Sequence, residues 1–157
     1  MAITANNVIF IYRDGDADSL EVAEYYRDER GVPAAQIIAI PCSTHEILES
    51  YSDFVTEVEG PIQTALTTAP LNALNIYAII LGFNVPGGFY DGENVVSSVS
   101  RIMRIGHDYL YNERNHFYVQ KVYNGLFVNN DTNYAYIVSR IDGPTKENAI
   151  NIIDNNT

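Results

Sequence analysis

The sequence predicts a three-layer α/β sandwich with a mostly parallel sheet. Three observations predict it: short apolar runs of strand length recur, stretches with helical periodicity lie between them, and turn residues separate the two. The expected order is β-α-β-α-β-α-hairpin-β-α, with right-handed crossovers. At 157 residues, with 46% hydrophobic and 18% charged, the chain is expected to form one domain over 1–157. The alternative is that it forms the front part of a larger fold.

The first strand and the first helix are predicted from the stretch between residues 8 and 33. VIFIY (8–12) is a continuous apolar run, which is typical of a strand buried on both faces. The helix is expected to begin at Asp18, because D-S-L-E places Glu21 three positions on, as in a capping box. Gly31, followed by Pro33, predicts its end.

The next stretch is expected to contain a strand, a long helix and another strand. QIIAI (36–40) predicts the second strand, and residues 44–69 are expected to be helical in two pieces, with Thr44 capping the first. An apolar residue at every fourth position predicts one buried stripe. Its members are Phe54, Val58, Ile62 and Leu66. Gly60-Pro61 lies inside this stripe and predicts a kink or a restart. IYAIIL (76–81) predicts the third strand.

The remainder of the chain is expected to contain a loop, a helix, a hairpin, a strand and a last helix. A glycine-rich loop, GFNVPGGFYDGEN, follows the third strand, and residues 95–111 are expected to be helical. KVYNGLFV predicts a hairpin, because Asn-Gly between apolar runs favours a tight turn. YAYIVSRI predicts the fourth strand, and the last helix is expected to begin near Pro144.

Composition restricts the classes of partner. The net charge is −11, with 20 acidic against 9 basic residues, which argues against nucleic-acid binding through a basic patch. Cys42 is the single cysteine, so no intrachain disulfide is possible. We expect no signal peptide, because the start MAITANNVIFIY lacks a charged n-region and a small-residue cleavage site. We expect no membrane span, because the apolar runs are far shorter than about 20 residues. The expected location is the cytoplasm or an assembled particle, with protein partners or self-association.

The most informative candidate site combines the ends of several predicted strands. Asp14 and Asp16 follow the first strand, and Arg140 and Asp142 follow the fourth. Parallel strands bring these residues to the carboxyl edge of the sheet, where open α/β sheets bind ligands. The loop after the third strand adds ligand or interface candidates at the same edge. They are Gly82, Asn84, Gly87 and Gly88. An exposed turn without a ligand explains this loop equally well.

Two alternatives concern the charges at this edge. Arg140 can bind an anion or form an ion pair with Asp14 or Asp16, and so acidic a chain favours the ion pair. The run DGDAD is not an EF-hand, because Ser19 and Tyr25 stand where glycine and glutamate are needed. Carboxylates at a helix start cap free N–H groups, so we expect a helix start rather than a metal site. No cofactor is expected.

The cysteine and the histidines are weaker candidates. Cys42 and His45 follow the second strand, where a thiolate and a base could share a turn. No third group that would orient the base follows in sequence, so a half-buried cysteine and a histidine at a helix start are the preferred interpretation. His107 and His116 have no metal-ligand spacing and are expected at the surface.

Three stretches together resemble a family of uncharacterised bacterial α/β proteins. They are DADSLEVAEYYRDERGVPAAQIIAI, YAIILGFNVP and YIVSRIDGPTKENAINIID. The family pattern is D-S-x-x-x-A-x-Y-Y-x-x-x-R-x-[IV]-P, a later G-x-P after a strand, and R-[LI]-D-G-P before a helix. The layout also distantly resembles the front part of gingipain-type cysteine peptidases with a caspase-like fold. Their catalytic dyad is missing, because residues 82–86 contain no histidine and residues 140–144 contain no cysteine.

The expected function is therefore a non-catalytic structural or assembly module. A subunit of a larger particle, such as a phage virion or tail, is the particular form that we expect. The alternative is a hydrolase or a domain that binds a small ligand or metal through Asp14, Asp16, Asn84, Arg140 and Asp142 at the carboxyl edge.

Overall fold

The fold is an α/β sandwich, as predicted. A computed structural model describes residues 3–102 and 136–155. The strands are β1 (Val8–Arg13), β2 (Ile37–Ile40), β3 (Ile47–Leu48), β4 (Ala78–Leu81), β5 (Gly88–Asp91), β6 (Asn94–Ser97) and β7 (Ile137–Arg140). The α-helices are α1 (Ala17–Arg30), α2 (Tyr51–Phe54), α3 (Gly60–Thr67), α4 (Ser98–Ile102) and α5 (Lys146–Asp154). One sheet is fully parallel in the order β2-β1-β4-β7, and a smaller sheet has the order β3-β5-β6.

The two central strands of the parallel sheet, β1 and β4, are buried on both faces because they are apolar at successive positions. In β1, Ile9 and Ile11 pack in the core on one face, with α2 and α3. Val8 and Phe10 point to the other face and pack with α1 and α5. This alternation explains why VIFIY is continuously apolar, since each successive side chain enters a different core.

The N-cap of helix α1 lies two residues before the predicted cap. Asp16 is the N-cap, and its carboxylate accepts from the Ser19 N–H at 2.9 Å, so the prediction of Asp18 is wrong. Asp18 lies in the first turn instead, and its carboxylate is 3.1 Å from the Lys146 ammonium group at the start of α5. Gly31 ends the helix in the left-handed conformation, with φ of 64°, which confirms the predicted stop.

The predicted helix over 44–69 begins later than expected. Residues 47–48 form β3, and Ser50 caps the helical run by accepting from the Asp53 N–H at 3.2 Å. Thr44 is therefore not a cap. The strand forms because the backbone next to it pairs with the loop after β4, where the Gly87 N–H donates to Glu46 O at 2.8 Å. This pairing joins segments far apart in sequence, so local propensity does not reveal it.

The helical run continues from Tyr51 to Thr67 through a wide π-helical turn, Val55–Glu59. The Gly60 N–H donates to Val55 O across five residues, and a Cβ on Gly60 would lie 2.8 Å from that oxygen. The α-helical pattern starts again at Gly60 after this turn, with Pro61 in the first turn of α3, which agrees with the predicted restart at Gly60-Pro61. All four residues of the predicted stripe are buried, as expected: Phe54, Val58, Ile62 and Leu66.

The predicted glycine-rich loop is partly a hairpin. Strands β5 and β6 pair antiparallel, with Gly92 in the left-handed region between them at φ of 62°. Helix α4 begins at Ser98, because residues 94–97 form β6 and pair with β5. The rest of the predicted 95–111 helix, the Asn-Gly hairpin, His107 and His116 lie outside the described residues.

The last helix is confirmed, including its start near Pro144. Thr145 is the N-cap of α5 and accepts from the Asn148 N–H, and Pro144 lies immediately before this cap. Contacts at both ends hold α5 beside α1, including a 2.7 Å hydrogen bond from Tyr25 Oη to Asp154 Oδ1. Within residues 3–102 and 136–155, no helix has the length and apolar character needed to cross a bilayer.

Candidate functional site

The carboxyl edge of the parallel sheet has the geometry of a ligand-binding edge. Strands β1 and β4 are neighbours at its centre, and the chain leaves them towards opposite sides, to β2 and to β7. Such a switch point opens a crevice at the carboxyl ends of the two strands. Asp16, after β1, and Asn84, after β4, meet there: Asn84 Nδ2 donates to Asp16 Oδ2 at 3.0 Å.

The Asp16 carboxylate is bound by three groups of the same chain. Besides the Asn84 amide and the cap bond from Ser19, it forms an ion pair with the guanidinium group of Arg13. Its side chain is only 11% exposed. Ser19 locks the same corner, because its hydroxyl accepts from the Arg13 N–H at 2.9 Å and donates to Phe83 O at 2.6 Å. This arrangement satisfies the carboxylate and holds the two loops together.

Asp14 differs from Asp16, although both were predicted at this edge. Asp14 is exposed, and its N–H donates to Ile40 O at 2.9 Å, which extends the pairing of β1 with β2. Its backbone role is therefore structural. The structure does not bring Asp14 together with Arg140.

Arg140 forms an ion pair, but not with the predicted partners. Its guanidinium group donates to both oxygens of the Glu46 carboxylate, from Nη1 to Oε1 at 2.8 Å and from Nη2 to Oε2 at 2.9 Å. It also donates to Val85 O at 2.9 Å and contacts the carboxylate of Asp142. The predicted pairing with Asp14 or Asp16 is wrong because β4 lies between β1 and β7, which separates their ends by about 10 Å.

These contacts determine the charge state of Arg140. Burial acts to lower the pKa of its guanidinium group, whereas the hydrogen bond to Glu46 and the charges of Asp142 and Glu46 act to raise it. The pKa is raised on balance, so the group stays a cation. Its positive charge is balanced by two carboxylates of the same chain, those of Glu46 and Asp142.

At the loop glycines, other parts of the protein lie so close to the backbone that a side chain would not fit. A Cβ on Gly87 would overlap Arg140 Nη1 and Glu46 Oε1, so the ion pair lies directly on the loop backbone. A Cβ on Gly82 would overlap the ring of Phe10, and one on Gly88 would be 2.7 Å from Val96 O. The space beside all three is thus filled by the chain itself.

Cys42 has the properties of a structural cysteine. Its side chain is 9% exposed, and burial raises the pKa of the thiol to about 11. The thiol is therefore protonated at neutral pH and lacks the thiolate that nucleophilic attack requires. His45 is exposed, and the Ser43 N–H beside Cys42 donates to Glu57 Oε2 at 2.8 Å.

The carboxylates of the described residues do not gather into a metal centre. No group of three or more histidine, cysteine, aspartate or glutamate side chains within residues 3–102 and 136–155 is placed to hold a metal ion. Three of the acidic residues at the edge are divided between two arginines instead. Arg13 takes Asp16, and Arg140 takes Glu46 and Asp142.

Sequence reasoning missed three residues of this edge. Arg13 and Ser19 flank the predicted carboxylates, and the D-S pair at residues 18–19 was the available signal for Ser19. Glu46 carries no local signal, because it reaches Arg140 only through the pairing of β3 with β5. No protein-family model, curated protein or solved structure matches the chain. The resemblance to gingipain-like proteins stays a prediction.

Proposed function

We propose that the protein is a non-catalytic structural or assembly module. The observation that carries the proposal is that the polar groups at the carboxyl edge bind one another. Asp16 has three partners within the chain, and Arg140 is held by Glu46, Val85 O and Asp142. A ligand at this edge would first have to displace these internal bonds, whose hydrogen-bonded charges are costly to separate.

The alternative function is a hydrolase or small-ligand domain at the same edge, and among the described residues most charged groups there are bound to one another. The Cys42 thiol is held protonated, and the described residues offer no metal cluster. A candidate nucleophile or base needs a group that is both reachable and correctly charged. Asp14 is exposed, but the groups near the switch point are already bound to each other.

The first experiment measures the molar mass of the purified protein by light scattering over a hundredfold concentration range. A defined oligomer or filament supports an assembly module. A strict monomer that also retains no partner in pull-down contradicts it. Membership of a phage virion or tail stays a prediction, since it concerns the identity of the assembly.

A thermal-shift panel separates the two functions. The melting temperature is measured with Mg²⁺, Ca²⁺, Mn²⁺, Zn²⁺ and phosphate, because any ligand of the native state raises it. The assembly module predicts no rise. A rise that disappears in Asp14→Asn, but persists in a distant control such as Asp28→Asn, would establish a carboxyl-edge site and overturn the proposal.

A further inference from the structure

The small sheet has one face in the core and one face that points outward. Leu48, Phe89 and Val96 are in register across its three strands and face the core, where the rings of Phe89 and Phe54 are 4.7 Å apart. Side chains alternate along a strand, so the neighbouring positions point outward. The outward positions are Ile47, Gly88, Tyr90, Val95 and Ser97.

This outer face is apolar at four of its five positions, and Ser97 is its polar member. Tyr90 and Val95 are directly opposite each other, and they are 42% and 54% exposed. Gly88 is buried beneath this face: a Cβ there would lie 3.2 Å from Val95 Cγ1 and 3.5 Å from Ile47 Cδ1. The side chains of Ile47 and Val95 therefore close over the glycine. A contiguous apolar surface of this kind is typical of interaction sites.

Carboxylates border the outer face on two sides. Glu49 follows β3, and Glu93 lies in the turn of the β5–β6 hairpin; both residues are exposed. Glu46 and Asp91 belong to the opposite face by the same alternation. The Glu46 carboxylate is shared with Arg140. The border matches the chain as a whole, whose net charge is −11.

We propose that the outer face of the small sheet docks a partner protein whose surface has an apolar centre bordered by lysine or arginine. Charge complementarity identifies this partner, because basic groups around the contact would pair with the acidic border. A second copy of this chain fits poorly, since a symmetric contact would place acidic border against acidic border. The inference rests on the proposed assembly function and adds the surface and the chemistry of the partner.

The test uses a defined probe, a seven-residue peptide of alternating lysine and valine. Binding is followed by amide chemical shifts in two-dimensional NMR of the whole chain. We expect shifts confined to residues 46–49 and 88–97. A lysine–serine peptide of equal charge should bind at least tenfold more weakly, because it lacks the apolar face. A glutamate–valine peptide should not bind.

Variants locate the contact. Val95→Ser and Tyr90→Ser should each weaken binding of the lysine–valine peptide about tenfold, since each removes apolar area from the contact. Glu49→Gln with Glu93→Gln should weaken it and reduce its salt dependence. Leu20→Ser is the matched control, because Leu20 is 38% exposed on α1, away from the small sheet. Circular dichroism confirms that each variant is folded.

A labelling experiment tests whether the face is reachable. Val95→Cys places a thiol there, while native Cys42 stays buried and protonated. A thiol reagent should modify Val95→Cys at the rate of an exposed cysteine. Protection of this thiol, equal binding of both lysine peptides, or oligomers that Val95→Ser dissociates would overturn the proposal. Oligomers that Val95→Ser leaves intact, together with absent peptide binding, would overturn this inference alone and leave the assembly function standing.

Discussion

The ion pair between Arg140 and Glu46 should contribute measurable stability to the fold. The Arg140 side chain is 20% exposed, whereas that of Glu46 is 61% exposed. Glu46 can therefore recover its hydration when Arg140 is removed, which limits the coupling to about 1 kcal/mol, above exposed pairs and below buried ones. Arg140→Met alone should cost about 2 kcal/mol, because it also loses the bonds to Val85 O and Asp142.

A double-mutant cycle measures this coupling. The free energy of unfolding is determined by urea titration for the wild type, Arg140→Met, Glu46→Gln and the double variant. For a chain of 157 residues, about 1 kcal/mol corresponds to a shift of roughly 2–4 °C in Tm. The surface pair Arg27–Asp28, whose two residues are adjacent in sequence on α1, serves as the control cycle and should show no measurable coupling. A coupling below about 0.3 kcal/mol for Arg140–Glu46 would refute the reasoning.

Gly87→Ala tests the same contact from the backbone side. The new methyl group would overlap Arg140 Nη1 and Glu46 Oε1, so the pair must move off the loop. We expect a loss of about 1 kcal/mol in the wild-type background and a smaller loss in Arg140→Met, where the guanidinium group is gone. Equal losses in both backgrounds would show that the loop backbone, rather than the ion pair, requires glycine.

Three further predictions follow from the corrected helix starts and from the buried thiol. Asp16→Ala should lower the free energy of unfolding by about 2 kcal/mol, because it loses the helix cap and the hydrogen bond from the Asn84 amide. Asp18→Ala should lower it clearly less. Equal losses for the two variants in urea titration would contradict the assignment of Asp16 as the cap. Ser50→Ala should lower the free energy of unfolding by about 1 kcal/mol, and Thr44→Ala should leave it almost unchanged, as measured by thermal denaturation. The reverse order would show that the helix begins at Thr44 after all. The raised pKa of Cys42, about 11 in the native state, means that the unfolded chain releases the thiol proton first as the pH rises. Stability should therefore be full below about pH 9 and fall between about pH 9 and 11, and this fall should be smaller in Cys42→Ala; an identical pH profile for that variant would contradict burial as the cause.

The sequence by itself determined the elements whose signals are local and repeated. The continuous apolar run of β1 and the buried stripe from Phe54 to Leu66 follow from strand and helix periodicity alone, and the structure confirms both. Gly31 was equally predictable, because few other residues adopt the left-handed conformation that ends α1. These features depend on side chains within a few positions of one another.

Only the tertiary structure decided which polar groups meet at the carboxyl edge. Sequence reasoning placed Asp16, Asn84 and Arg140 at one edge, but it could not order the strands, and strand order separates Arg140 from the first strand. Glu46 becomes the partner of Arg140 because two residues of β3 pair with β5, a contact 41 positions apart at Ile47 and Gly88. Such pairings depend on the packing of the whole sheet, since neither segment has a local preference that selects the other.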